Sequence, residues 1–301
     1  MRSEMKKNAW AAEGMIVLAA ALWGCTGFFV RRLSALGHTQ IQIVFLRVIF
    51  ALAGMAVLLL FRDRRLFRVR LRDLWCFFGT GVVSLLFFNV CYFQAMQLTT
   101  LSVAAVLLYT APCFVMLLSA PLFRERITAN KLAALVLMLG GCALVTGILD
   151  GNARATLGGV LFGLGSGIGY ALYSIFGRYA LNRGYDPYTI SFYTFAFAAA
   201  GCLPFAGLPQ LAVSLTPSTW LYSAGIGLVC CTLPYVFYTK GLKWVENGRA
   251  SLLATMEPLV ATLISVLAFG ERFTWFNACG IVLMIVSVLV MNGSTRRSET
   301  A

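Results

Sequence analysis

The sequence predicts an all-α integral membrane protein, with ten transmembrane helices arranged as two inverted five-helix repeats. Three observations predict it. Of 301 residues, 60% are hydrophobic and only 12% charged, and the mean hydropathy is +0.83, so polar surface is too scarce to cover a soluble fold. The apolar residues gather into stretches of the length that a bilayer requires. The second half of the chain repeats the first in register.

A helix needs roughly 20 mainly apolar residues to cross the hydrocarbon core. Ten such stretches occur, at about 14–33, 40–61, 74–97, 102–123, 131–149, 157–181, 188–206, 219–241, 249–269 and 275–292. None alternates with the two-residue period of a barrel strand, so each satisfies its backbone groups as a helix. Span one follows Lys6 and Lys7 and contains Ala19 to Ala21, which together imitate a signal peptide with a weak cleavage site. Nine further spans and a later counterpart argue for a true span. Span two holds Arg47, span three Asn89 and Tyr92, and span four Tyr109 and Pro112. Span six carries Gly159, Gly163 and Gly167 at four-residue steps, a spacing that permits close helix packing. Span nine holds Glu257 and Pro258. Spans five, seven, eight and ten rest on length and apolarity. The domain reading is an N-terminal segment 1–13, a first repeat 14–149, a second repeat 157–292 and a tail 293–301.

Basic residues in short loops set orientation. With the N-terminus in the cytoplasm, that side receives Arg2, Lys6 and Lys7, then the cluster from Arg62 to Arg72. It also takes Arg124, Arg126, Lys131, Arg178, Arg183, Lys240, Lys243, Arg249, Arg296 and Arg297, in all 19 of the 24 basic residues. Arg31, Arg32, Arg154 and Arg272 fall outside, and Arg47 lies within a span. Both termini are expected in the cytoplasm of a cell that carries the chain in its plasma or inner membrane. The net charge of +13 is then a topology signal, and nucleic acid is excluded as a partner. No cofactor or metal site is expected. The nine cysteines lack C-x-x-C spacing, and the single His38 sits at a loop edge.

A shift of 146 positions pairs Tyr92 with Tyr238, Ala104 with Ala250 and Pro112 with Pro258. It also pairs Glu125-Arg126-Ile127-Thr128 with Glu271-Arg272-Phe273-Thr274. A shift of 147 pairs Trp23 with Tyr170, Phe29 with Phe176, Arg31 with Arg178 and Phe45 with Phe192. Five spans per unit is an odd number, so the second unit enters the membrane from the opposite side. That architecture lets two halves rock about a site near the midplane.

The chain resembles the EamA-type members of the drug/metabolite transporter superfamily from about residue 14 to 292. The resemblance rests on A-A-A-L-W-G in span one, F-L-R in span two, Y-T-A-P with R-E-R-I-T, and M-E-P with G-E-R-F-T. It implies a secondary transporter, and no G-x-x-x-x-G-K-[ST] nucleotide loop occurs. One departure is Arg124 where the pattern often has glycine, which bears on the local turn.

Glu257 is the first candidate for substrate or proton binding. An intramembrane charge is costly, Pro258 breaks the helix beside it, and its repeat partner is Ala111. The alternative is that it caps the broken helix or pairs with Arg47. Arg47 is expected to tie helix ends through several hydrogen bonds, a structural role. Pro112, Pro258, Glu125 and Glu271 are read as hinge or cap residues, with Thr128 and Thr274 capping the following spans. Ser166, Tyr170, Tyr173 and Ser174 share one face of span six, and Thr232, Tyr235, Tyr238 and Thr239 share one of span eight. With Trp23, Asn89, Tyr92 and Tyr109, these give the expected substrate-binding set: Glu257, Trp23, Asn89, Tyr92, Tyr109, Tyr170, Tyr173, Ser174, Tyr235 and Tyr238. Aromatic walls with one acid favour an organic cation or zwitterion.

The expected function is alternating-access transport, in the export direction, of small organic metabolites such as amino acids or amines. A lipid or lipid-linked flippase on the same scaffold is the alternative. A membrane enzyme is opposed by the lack of an Asp/His cluster or paired carboxylates. The expected partners are a small organic solute and the bilayer; the oligomeric state stays open, a monomer among the alternatives.

Overall fold

A computed structural model describes residues 2–148 and 155–297, with side chains over 10–148 and 155–291. Arg154 lies outside it, as do the side chains of Arg2, Lys6, Lys7, Arg296 and Arg297. Among the described residues there is no strand, only an isolated bridge between Thr99 and Ala155. Eight helices are long and apolar enough to cross a membrane: α1 (Trp10–Ala35), α2 (Gln40–Arg62), α3 (Leu71–Leu98), α4 (Leu101–Phe123), α6 (Leu157–Asn182), α7 (Pro187–Phe205), α8 (Pro217–Gly241) and α9 (Asn247–Phe269). Two shorter apolar helices, α5 (Ala129–Val145) and α10 (Trp275–Met291), complete the set.

Local chemistry sets the boundaries. Thr39, Thr100, Thr128, Thr156 and Thr216 each accept a backbone N–H of the following turn and start α2, α4, α5, α6 and α8. Such caps satisfy donors that no helix can satisfy itself. α5 stops at Val145, short of the expected 149, because Thr146 closes the last turn and Gly147 turns left-handed at φ +72°.

Three helices depart from the uniform spans that apolarity predicts. α1 is interrupted at Cys25, between helical segments Arg2–Gly24 and Thr26–Ala35. α3 contains a π-helical stretch, Gly79–Leu86, and α8 another, Leu228–Thr232. The shift of 146 lays the first over residues 225–232, so the widened turns occupy matched places in the two repeats. Pro112 and Pro258 do break their helices. α4 consists of Leu101–Leu108 and Ala111–Phe123, and α9 of Asn247–Ala254 and Glu257–Phe269, each proline standing in the first turn of the second half.

α5 and α10, equivalent in the repeat, run antiparallel against each other. Asn130 Nδ2 near the start of α5 donates to the Val290 carbonyl near the end of α10 at 3.4 Å. At the opposite ends, Asn277 Nδ2 donates to the Val145 carbonyl at 3.2 Å. The main apolar core gathers Met138, Tyr173, Tyr238 and Met284 between the halves, and a second gathers Val48, Met55 and Phe195 between α2 and α7. Gly159, Gly163 and Gly167 pack against Leu98, Leu107 and Thr110, so the span-six glycines serve close packing. Large apolar side chains such as Val136, Leu221 and Leu267 point outward, 69%, 69% and 83% exposed, as suits a surface in contact with lipid.

Loops that the charge pattern puts on one side meet there. Lys131 pairs with Glu246 at 2.6 Å, Arg183 with Asp73 at 3.0 Å and Lys243 with Asp186 at 3.8 Å. At the other end Arg31 pairs with Glu271 at 2.6 Å.

Candidate functional site

A cavity of about 690 Å³ lies between the two halves. Its mouth is formed by Arg31, Gln40, Ser102, Glu271 and Asn277, and its interior by Trp23, Arg47, Asn89, Tyr92, Tyr109, Tyr170, Tyr235 and Glu257. The mouth is at the end of the molecule where Arg31 meets Glu271.

Glu257 owes its position to the break in α9. Position 258 is proline, so the Ala254 carbonyl has no i+4 N–H to accept. The chain turns through Thr255 and Met256, and Glu257 becomes the first residue of the second half-helix. A carboxylate there meets the positive end of the helix dipole. It is half-buried and faces the cavity. Among the described residues it has neither a hydrogen-bond partner nor an ion pair. Tyr92, Tyr109, Tyr170 and Arg47 line the same cavity.

Arg47 links two helices through one bond where several were expected. Its Nη2 donates to Asn89 Oδ1 at 3.0 Å, linking α2 to α3, while its Nε is buried without a partner. Asn89 Nδ2 donates in turn to the Leu85 carbonyl at 2.6 Å, within the π-helical stretch of α3. The interior of the cavity therefore holds one acid and one base, Glu257 and Arg47, not in contact, amid aromatic rings, while Arg31, Glu271 and Arg272 line it as well. Such a lining can take a cation or a zwitterion by charge pairing and by attraction to the ring faces.

The cavity ends on an aromatic floor. Trp23 packs edge-on to Tyr170 and Tyr235, with ring centroids 6.2 and 5.4 Å away. One turn further along α6 and α8, Tyr173 and Thr239 hydroxyls bond at 2.7 Å, and Ser174 and Tyr238 at 2.8 Å. Only a void of about 20 Å³ remains between floor and layer, room for little more than a water. Of the ten expected substrate residues, seven line the cavity. Tyr173, Ser174 and Tyr238 do not, because the faces of α6 and α8 that carry them are pressed together and hydrogen-bonded. Ser166 is also buried, its hydroxyl donating to the Gly163 carbonyl.

Of the expected hinge residues, Pro112 and Pro258 stand at the helix breaks inside the bundle and Arg47 lines the cavity, while the caps and turns lie at the helix ends. Thr128 and Thr274 cap α5 and α10. Arg124 and Gly270, which follow α4 and α9, both adopt the left-handed conformation, at φ +57° and +67°. The turn thus survives the replacement of glycine by arginine. Sequence reasoning missed the place of Arg47 and Glu271 in the cavity wall; the register pairing Arg31 with Arg178 and Glu125 with Glu271 was the available signal.

The model of the EamA-like transporter family matches residues 10–147 and 157–293. The chain belongs to the EamA-like transporter family. An uncharacterized transporter of Archaeoglobus fulgidus is 32% identical over 279 residues, covering 92% of this chain and 95% of the relative. The uncharacterized transporter YwfM of Bacillus subtilis is 28% identical over 298 residues, covering 99% and 98%. The uncharacterized inner membrane transporter YicL of Salmonella typhimurium is 22% identical, covering 95% and 96%. A solved crystal structure, 21% identical, superposes with a TM-score of 0.80 over 96% of this chain and 98% of that one, which shows a shared fold. This EamA-type chain is a multi-pass membrane protein of a transporter family, with the family unit present twice.

Proposed function

We propose that the chain is a secondary active exporter of small organic cations or zwitterions, amines and amino acids among them, working by alternating access. It crosses the membrane ten times as two inverted repeats, with both termini in the cytoplasm. The observation that carries this reading is the one-sided cavity, with an unpaired Glu257 at a broken helix. A cavity open at one end and sealed by hydrogen-bonded layers at the other is one half of an alternating-access cycle. The antiparallel α5 and α10 support inversion, since equivalent helices of an inverted repeat run in opposite directions. In this orientation the mouth faces outward.

Glu257 receives the ammonium group of the solute, and the rings of Tyr92, Tyr109 and Tyr170 screen the pair from water. A carboxylate in this setting needs a cation or a proton, so it can exchange one for the other as the site changes sides. The polar-aromatic lining supports a solute over a lipid. Metabolite profiling of cells with and without the protein, followed by flux of the solutes that differ into proteoliposomes, tests the reading. At least one nitrogenous solute is expected to differ and to cross. Unchanged profiles, or only lipids changed, would overturn it.

A further inference from the structure

Glu125 and Glu271 occupy the same place in the two repeats, each just after a broken helix, yet they do different things. Glu125 grips the other repeat. Its Oε1 accepts the Asn247 backbone N–H at 2.7 Å and its Oε2 accepts that of Gly248 at 3.0 Å. These are the first two N–H groups of α9, which have no partner within their own helix. Arg178 of α6 supports the grip: its Nε donates to Asn247 Oδ1 at 2.8 Å and its Nη2 to the Val245 carbonyl. Asn247 Nδ2 also donates to Ser119 Oγ of α4 at 3.2 Å.

The repeat register carries each partner to the opposite end. Subtracting 146 takes Asn247 and Gly248 to Leu101 and Ser102, the first two residues of α4, and Val245 to Thr99. Arg178 corresponds to Arg31. Glu271 is therefore the counterpart that would grip the Leu101 and Ser102 N–H groups. Here it does not. It pairs with Arg31 at 2.6 Å, both side chains about half exposed, and Glu271, Leu101 and Ser102 all line the open mouth.

We propose that Glu125 and Glu271 are the two latches of the transport cycle, each sealing one side by gripping the first backbone N–H groups of the other repeat's broken helix. In this conformation the Glu125 latch is shut and the Glu271 latch is open. In the alternate conformation Glu271 leaves Arg31 for the Leu101 and Ser102 N–H groups, Arg31 turns to the Thr99 carbonyl, and Glu125 releases α9. The proposal rests on the alternating-access reading and assigns its closing contacts. Both glutamates are positioning residues, acting through the broken helices and not on the solute.

Hydrogen exchange read by mass spectrometry on the full chain in lipid nanodiscs tests this without knowing the solute. In Glu125→Gln the amides of Asn247 and Gly248 should exchange faster by more than about tenfold, the lower end for losing a charge-assisted hydrogen bond. Those of Leu101 and Ser102, at the far end, should become slower. In Glu271→Gln the Leu101 and Ser102 amides should gain no protection, while Asn247 and Gly248 should become more protected than in the wild type. Leu101→Pro is a second route to the same result. It removes one recipient N–H at the first helical position, where proline is well tolerated after an extended residue, and Thr100 is extended at ψ 156°. Faster exchange at Asn247 and Gly248 with no gain at Leu101 and Ser102 would make Glu125 a static cap and overturn the proposal. So would wild-type exchange at Asn247 and Gly248 in both Glu271→Gln and Leu101→Pro. Metabolite profiles of cells expressing each chain separate the two levels: an inert wild type sinks the transport reading, whereas a Glu271→Gln variant with the full wild-type effect sinks the latch alone.

Discussion

Gly24 ends the first segment of α1 where it crosses the second half of α9. A Cβ built there would lie 2.7 Å from Val260 Cβ, 2.8 Å from the Glu257 carbonyl oxygen and 3.0 Å from the Ala261 nitrogen. Ordinary carbon contacts lie at about 3.5–4.0 Å, so Gly24→Ala needs α1 and α9 to separate by nearly 1 Å. Two of the three atoms are backbone, and no side-chain rotation can relieve them. Over-packing of this kind costs about 1–3 kcal/mol, so a chain of this size should melt roughly 2–5 °C lower. Gly27→Ala is the internal control. Nothing lies within 4 Å of its added Cβ, and alanine favours a helix over glycine by about 1 kcal/mol, so that variant should melt at or above the wild type. Thermal unfolding of the three purified proteins in one detergent decides the matter. A Gly24→Ala protein as stable as Gly27→Ala would refute the tight crossing of α1 and α9.

Other consequences follow from the turns, the buried histidine and the topology. Arg124 holds a left-handed conformation that costs a side-chain-bearing residue about 1–2 kcal/mol; Arg124→Gly should therefore raise the melting temperature by a few degrees, and Gly270→Ala should lower it by a similar amount. His38 is buried, its Nε2 3.0 Å from Thr219 Oγ1, and desolvation depresses its pKa below the ordinary value. The stability it contributes is complete above the unfolded value, about 6.5, and is lost as pH falls toward the folded one. Melting should thus drop between pH 7.5 and 5.5, about one unit on either side of that value, and His38→Gln should flatten the drop; an unaltered slope would refute it. Reporter fusions after residues 72 and 301 should be cytoplasmic and one after 152 external, and a cytoplasmic reporter at 152 would contradict the inverted repeat.

The bundle was legible because membrane solvation writes itself into composition: a span must be apolar over its whole length, and the basic loops report sides. The repeat register was legible because prolines and the E-R-x-T pattern survive in both copies. It located the breaks at Pro112 and Pro258 correctly. The π-helical turns of α3 and α8 were not legible, since an extra residue in a turn leaves hydropathy unchanged. Tyr173, Ser174 and Tyr238 share a helix face with Tyr170 and Tyr235, and helical periodicity identifies a face without saying how deep along it the partner helix closes. Arg47 looked structural because its motif is shared with a family; its single bond to Asn89 and orphaned Nε are facts of packing. Glu125 and Glu271 were legible as a pair, but their different partners are facts of packing that the shared E-R-x-T pattern does not encode.

The central claim is that Glu257 is the charged group of the transport site. Glu257→Gln keeps the shape of the side chain and removes its charge. Flux of the solute identified by profiling should be measured in proteoliposomes carrying wild type or Glu257→Gln, beside the melting curves of both proteins. The account predicts a variant that melts with the wild type and transports essentially nothing. A variant that melts lower yet carries the solute at the wild-type rate per folded molecule would contradict it.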